Sequence, residues 1–148
     1  MKIDAEGYDE IAREVFAPIY PVIAEQIINK TGVTKGRCLD IGSGSGYLGI
    51  ALAKITELNV VLFDKSPDML KIAGRNISAS GLGAKVRTLT GDVLDIPLDD
   101  QSVDLIVSRG SIFFWEDRPR AFKEIYRVLA PGGFTHIGGG FGTPELKE

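Results

Sequence analysis

The sequence predicts an α/β fold, a three-layer sandwich in which helices cover a mainly parallel sheet of about five strands. Three observations carry this expectation. Short apolar runs of strand length alternate with segments of helical periodicity. The runs are apolar at successive positions, as in strands buried on both faces. The first run also leads through a glycine turn directly into a helix, in the stretch Arg37-Cys38-Leu39-Asp40-Ile41-Gly42-Ser43-Gly44-Ser45-Gly46-Tyr47-Leu48-Gly49.

Bulk properties narrow the class. The 148 residues (16.0 kDa) suit one domain with a sizeable core, expected as N-terminal cap helices over residues 1–33 and a ligand-binding core over 36–142. No apolar run approaches the roughly 20 residues that cross a bilayer, and Met1 to Glu6 lacks the apolar core of a signal peptide. A cytoplasmic protein without membrane contact is expected. The single cysteine, Cys38, excludes an internal disulfide and reads as a buried structural thiol. A net charge of -3 and a pI near 5.2 give no footprint for nucleic acid, so a small-molecule substrate is expected.

Tyr8, Ile11, Ala12, Val15 and Phe16 repeat with helical spacing up to the break at Ala17-Pro18. A second helix follows, from about Pro21 to Lys30, with Ile19, Ile23 and Ile27 on one face and Thr31-Gly32 as its stop. These helices either cover one face of the sheet or cap a ligand, with Tyr8, Phe16 or Tyr20 touching it. After the glycine turn, Leu48, Ala51, Leu52 and Ile55 continue as a helix whose free N-terminal amides lie beside the glycines.

Asn59 to Phe63 is the second strand and ends in Asp64, 22 positions after Gly42. An acid there either accepts hydrogen bonds from ribose hydroxyls or is a solvated turn residue. Ser66-Pro67 reads as N-cap and first turn of a helix with Met69, Ile72, Ala73, Asn76 and Ser80 along one side, ended by Gly81-Leu82-Gly83. Gly74 inside it costs about 1 kcal/mol against alanine. Val86 to Thr90 alternates as a third strand and leads into Gly91-Asp92-Val93, where Asp92 is either an adenine contact or a turn residue.

Leu94 to Ser102 is a polar connection in which Asp95, Asp99 and Asp100 read as solvated charges rather than metal ligands, and no metal is expected. Val103 to Ser108 is the fourth strand, followed by Arg109-Gly110-Ser111 and by Phe113, Phe114 and Trp115. Those aromatics either pack in the core or line the pocket of an apolar substrate. A helix from about Pro119 to Val128 is stopped by Pro131-Gly132-Gly133, and Phe134 to Ile137 is the fifth strand. The one histidine, His136, lies on it and is either structural or catalytic.

Two frames compete in the glycine turn. Gly44-Ser45-Gly46-Tyr47-Leu48-Gly49 is a G-x-G-x-x-G dinucleotide pattern, whereas Asp40 with Gly42, Gly44 and Gly46 gives D-x-G-x-G-x-G. An acid at the first strand's tip repels a pyrophosphate and attracts an ammonium, which favours S-adenosyl-L-methionine over NAD.

Asp40 to Gly46, Asp64, Gly91-Asp92-Val93, Asp104 to Ser108 and Arg127 to Gly133 together resemble the class I S-adenosylmethionine-dependent methyltransferases, closest to the ubiquinone and menaquinone branch, over roughly Arg37 to Phe141. The resemblance implies a Rossmann-like core and methyl transfer to a small-molecule acceptor. It implies that Asp40, Gly42, Ser43, Gly44 and Gly46 hold the methionyl part, Asp64 the ribose, Lys65 and Met69 the edges of the adenosine, and Asp92 and Val93 the adenine. Ser108 would lie near the transfer centre. Arg109 would bind an anionic acceptor or form a salt bridge, and Ser108, Arg109 and His136 are the catalytic candidates.

Ser108-Arg109-Gly110-Ser111 stands where nucleic-acid amino methyltransferases would carry an Asn-Pro-Pro-Tyr-like tetrapeptide. The chain stops six residues after Gly142, short of the family's last two strands. The fifth strand would then be an edge open to homo-dimerisation. The alternatives are a cofactor-binding module without turnover and an NAD-dependent oxidoreductase.

Overall fold

The computed structural model describes Glu6 and residues 17–138, with the side chains of Ala17 and Phe113 excepted. A 3-10 turn (Ala17–Ile19) leads into helix α1 (Tyr20–Thr31), strand β1 (Lys35–Ile41), α2 (Tyr47–Ile55), β2 (Glu57–Asp64), α3 (Pro67–Ala79) and β3 (Val86–Thr90). Strand β4 (Val103–Arg109), a 3-10 turn (Ser111–Phe114), α4 (Arg118–Val128) and β5 (Leu129–Gly138) complete it. The sheet order is β3-β2-β1-β4-β5 and every pairing is parallel. The expected helix over Tyr8 to Phe16 lies outside the described residues.

Successive side chains of a strand point to opposite faces, so strands apolar at every position must be covered on both. Cys38, Val60, Leu62, Leu105 and Val107 face α1, α2 and α3, where they meet Ile23, Ile27, Leu52, Leu70 and Ile77. Leu39, Val61, Phe63 and Ile106 face α4 and the connection after β3, meeting Val93, Ile96, Ala121, Ile125 and Val128. Each such apolar side chain contributes about 1.5–3 kcal/mol by leaving water, and this double burial selects the three-layer arrangement.

Local chemistry sets the ends. Ser66 Oγ accepts from the Met69 amide at 3.2 Å, with Pro67 in the first turn, and Asp117 caps α4 through the Arg120 amide. Gly32, in the left-handed region at φ 72°, closes α1. The buried face of α3 differs from the sequence reading: it is Leu70, Ile72, Ala73 and Ile77, whereas Met69 faces a cavity and Asn76 Nδ2 donates to the Ser45 carbonyl.

β5 also begins earlier than Phe134. Leu129 pairs with Val103, and after an irregularity at Pro131-Gly132-Gly133 the ladder resumes with Phe134 opposite Leu105. The Pro-Gly-Gly stretch therefore bulges within a strand, because the backbone after α4 turns straight into the sheet. Arg127 ties the connection after β3 to α4. It donates to the Ile96 and Leu98 carbonyls and to Asp100 and Glu124, so Asp100 is ion-paired rather than merely solvated.

Candidate functional site

The C-terminal ends of β1, β2 and β4 open onto a cavity of about 600 Å³, the position at which open α/β sheets bind ligands. Its wall includes Ile41, Gly42, Gly44, Phe63, Asp64, Lys65, Ser66, Asp68, Met69, Gly91, Val93, Arg109, Gly110, Ser111, Phe114 and Trp115. Residues from every βα junction expected to carry function meet here.

The glycine turn takes the conformation that its residues permit. Gly42, Gly44 and Gly46 all have positive φ (70°, 56° and 88°). A Cβ at Gly42 would lie 2.3 Å from that of Ser111, and one at Gly46 would lie 2.6 Å from a Leu62 methyl. The amides of Gly42 and Ser43 donate to the Phe63 carbonyl. Asp64 completes the anchorage, Oδ2 accepting from the Gly44 amide at 2.8 Å and Oδ1 from the Ser66 amide at 2.9 Å.

Asp40 stands behind the turn, 2% exposed, and accepts from the Gly49 amide at 3.1 Å. Desolvation pushes its pKa up to about 8, with the nearby Asp64 charge adding and the Gly49 hydrogen bond opposing. Asp40 lines a second, small cavity of about 50 Å³ with Tyr20, Gly42, Ser43, Gly44, Ser45, Tyr47, Leu48 and Arg109. Desolvation lowers the Arg109 pKa, while the Tyr20 phenol raises it. Tyr20 and Tyr47 stack at 5.9 Å. Gly42, Gly44 and Arg109 border both cavities.

Ser108 is 1% exposed, its hydroxyl 2.8 Å from the Ile41 carbonyl and 2.6 Å from Ser111 Oγ. Ser111 forms the cavity wall in front of it and accepts from the Trp115 indole at 3.1 Å. Phe114, 82% exposed, and Trp115 border the cavity, and Trp115 packs edge-on against Phe122. His136 lies on β5 opposite Val107 and is not part of either cavity wall.

Lys65 is 3.7 Å from Asp92 Oδ2, and Asp92 Oδ1 accepts from the Leu94 amide, leaving Gly91 and Val93 as the β3-side wall. Gly46 packs on Leu62 rather than on the cavity. Ser111 and Asp68 were not anticipated. Ser111 follows Gly110, whose φ of 87° turns the chain back after β4, and that glycine was the available signal. Among the described residues no cluster of His, Cys, Asp or Glu could hold a metal, and no helix is long and apolar enough to cross a membrane.

A parallel sheet with a glycine turn after its first strand, an acid at the tip of its second and a cavity across both defines a nucleotide-type cofactor site on a Rossmann-like fold. The model of the methyltransferase domain family matches residues 39–137, and the chain belongs to that family. Within it the chain falls in the class I S-adenosylmethionine-dependent branch that includes the quinone methyltransferases.

A Methanococcus maripaludis crystal structure, provisionally assigned as an S-adenosyl-L-methionine-dependent methyltransferase, is 53% identical with a TM-score of 0.92, over 99% of this chain and 68% of that one. The rice 2-methyl-6-phytyl-1,4-hydroquinone methyltransferase 1 is 36% identical over 98 residues, 66% of this chain and 28% of its own. The Thermus thermophilus demethylmenaquinone methyltransferase is 39% identical over 98 residues, 66% of this chain and 44% of its own. The matched segment thus spans less than half of either quinone enzyme.

Proposed function

We propose that the chain binds S-adenosyl-L-methionine and transfers its methyl group to a small, largely apolar acceptor of the quinol type. The observation that carries this reading is Asp64. It closes the glycine turn with one lone pair of each carboxylate oxygen and still lines the 600 Å³ cavity, with capacity left for a ribose diol.

The residues fit the cofactor on the structure's own terms. The larger cavity has the volume of a nucleoside site and is walled by Phe63, Met69 and Val93 for a purine, with Asp64 and Lys65 at its polar edge. The smaller cavity holds polar side chains suited to an amino-acid end, with Asp40 and the turn from Gly42 to Ser45 along its wall.

A bound sulfonium supplies an already activated methyl group, so alignment is the main demand on the protein. The glycine turn and Asp64 fix the position of that group. Phe114 and Trp115 shield the acceptor side from water, Trp115 being steadied by Ser111. Ser108 and Ser111 hold the β4 turn against Ile41 and so set the rear wall. Self-association through the β5 edge, where Phe134 is 45% exposed, is proposed as well and is tested by light scattering, a monomeric mass at micromolar concentration refuting it.

The test is calorimetric titration with S-adenosylmethionine and S-adenosylhomocysteine, NADH serving as competitor. Tight binding of both adenosyl ligands and none of NADH is expected. A folded chain that binds NADH alone would reverse the assignment. Methyl release to a panel of thiols, phenols and quinols then separates turnover from cofactor binding without turnover.

A further inference from the structure

A further cavity, of about 180 Å³, lies near the N-terminal ends of β1, β2 and β3, at the other end of the sheet from the cofactor site. Arg37, Asn59 and Arg87 line it with the Gly83-Ala84-Lys85 turn. Strand alternation and register explain why these side chains meet. Arg37 shares a face with Leu39 and Asn59 with Val61, while the parallel register sets Arg37 beside Asn59 and Val61 beside Arg87. Leu39 and Val61 are buried in the layer formed with α4 and the connection after β3, whereas Asn59 and Arg87 on that same face are exposed. Arg37 precedes Gly42 by five positions, so the cavity begins roughly 16 Å along β1 from the glycine turn.

The wall carries donors without acceptors. The side chains of Arg37, Asn59 and Arg87 form no hydrogen bond or ion pair among the described residues. The amides of Gly83 and Ala84 have no acceptor there either. Lys85 Nζ is committed to the Ala53 and Thr56 carbonyls, both at 2.6 Å, which fixes the turn and leaves a third positive charge nearby. No carboxylate lines the cavity. Asp104, whose Oδ2 accepts from the Arg37 amide at 2.9 Å, lies outside the wall and is not ion-paired with the guanidinium.

Charge and shape together select the ligand. Unbalanced guanidiniums favour an anion, and β1 and β3 stand about 10 Å apart on either side of β2, so the two forks approach the space from different sides. A planar carboxylate offers its oxygens to one fork, whereas a tetrahedral phosphate offers oxygens to both and to amides between them. The volume is about six times a water molecule's share of the liquid, which suits a phosphate or diphosphate group rather than a whole nucleotide. We propose that this cavity binds the phosphate group of a small molecule, with Arg37 and Arg87 as opposed forks and Asn59 and the Gly83 and Ala84 amides as further donors. The site is separate from the cofactor cavity and does not depend on the methyl-transfer reading.

The test follows the amide resonances of the full chain while inorganic phosphate, pyrophosphate or glycerol phosphate is added at constant ionic strength. Saturable shifts at Gly83, Ala84 and Asn59 are expected, with a dissociation constant on the order of 1 mM or below. Arg37→Gln and Arg87→Gln should each weaken binding roughly tenfold, as loss of a charge-assisted hydrogen bond implies. Arg87→Lys, which keeps the charge but loses the fork, should weaken it roughly threefold. Lys123→Gln, which removes the same charge from the exposed side of α4, should change it by less than about twofold. Whether the inorganic anions or glycerol phosphate saturate at lower concentration tells a free anion from a phosphate ester. Shifts that sodium chloride reproduces, that centre on Gly42 to Ser45, or that persist undiminished in both glutamine variants overturn the site, as does a lack of saturation by about 10 mM. Calorimetry with S-adenosylhomocysteine should give the same affinity for Arg37→Gln and Arg87→Gln as for the parent chain, so failure here is distinct from failure of the cofactor reading.

Discussion

The Asp64 carboxylate at the tip of β2 accepts a 2.8 Å hydrogen bond from the amide of Gly44, so the acid expected to face a ribose also holds the turn that follows β1. With the ribose contact proposed above, turn geometry and ligand binding would be coupled through one side chain. Replacing Asp64 by alanine removes both amide bonds and any ligand contact. The expected result is a loss of cofactor affinity of tenfold or more, about 1.4 kcal/mol or greater, together with a lower melting temperature. Asp64→Asn, which keeps one acceptor oxygen, should recover part of the thermal loss but little of the affinity. Equal affinity in all three proteins by calorimetry would sever the link between Asp64 and the ligand.

Asp40 makes stability depend on pH in an unusual sense for a carboxylate. Its folded pKa, about 8 against an ordinary 3.8, means that the folded chain keeps a proton that the unfolded chain has already released. Below the ordinary value both states are protonated. Between roughly pH 4 and 8 the folded state binds more protons, so this group's contribution to stability falls as pH rises and levels off above 8. Asp40→Asn should remove that component, seen as a flatter plot of melting temperature against pH. An ammonium brought near Asp40 draws the proton off, so cofactor binding at pH 7 should release protons. Titration in buffers of different ionisation enthalpy measures that release, and none is expected from Asp40→Asn.

Two helical glycines should respond in opposite directions to alanine. At Gly49 in α2 a Cβ would sit 2.4 Å from a Leu62 methyl and 3.0 Å from Val60, and the helix could not stay against β2. Gly49→Ala should cost about 1–3 kcal/mol and displace the amide that Asp40 accepts. At Gly74 in α3 nothing lies within 4 Å, so alanine gains helix propensity without a clash. Gly74→Ala should stabilise by about 0.5–1 kcal/mol, raising the melting temperature by about 1–4 °C. A melt in which Gly74→Ala is the less stable of the two would refute the packing argument.

Arg127 ties the connection between β3 and β4 to α4, with donors to the Ile96 and Leu98 carbonyls and to Asp100 and Glu124. The hydrogen bond from Arg127 holds the Glu124 carboxyl below its ordinary range, so this pair's contribution is present at neutral pH and lost as pH falls through that lowered value. Arg127→Ala should destabilise by about 2–3 kcal/mol, because two backbone acceptors and Glu124 lose a charged partner together. Hydrogen exchange should quicken at the Ile96 amide, which donates to Glu124. Unchanged exchange there would mean that the loop is held by Ile96 packing alone.

Strand and helix order, the glycine turn and the acid at the tip of β2 were legible in the sequence because each is a local pattern. Burial on both sheet faces writes continuous apolar runs, and a turn with positive φ at Gly42, Gly44 and Gly46 admits few residues but glycine. What β5 does at Pro131-Gly132-Gly133 was not legible, since a breaker reads alike as the end of a helix or as an irregularity in a strand. The burial of Leu70 and Ile77 on α3 likewise depended on which side of the helix met the sheet.

The sequence alone determined the architecture and the kind of ligand, because the D-x-G-x-G-x-G turn and the acid after β2 restrict backbone conformation and charge within a short span. Only the tertiary structure decided which side chains share a cavity. Ser43 and Arg109 are 66 positions apart, yet the β1–β4 pairing that sets Asp40 opposite Val107 brings both to one 50 Å³ space. Such proximity follows from strand order and register, which no local spacing encodes.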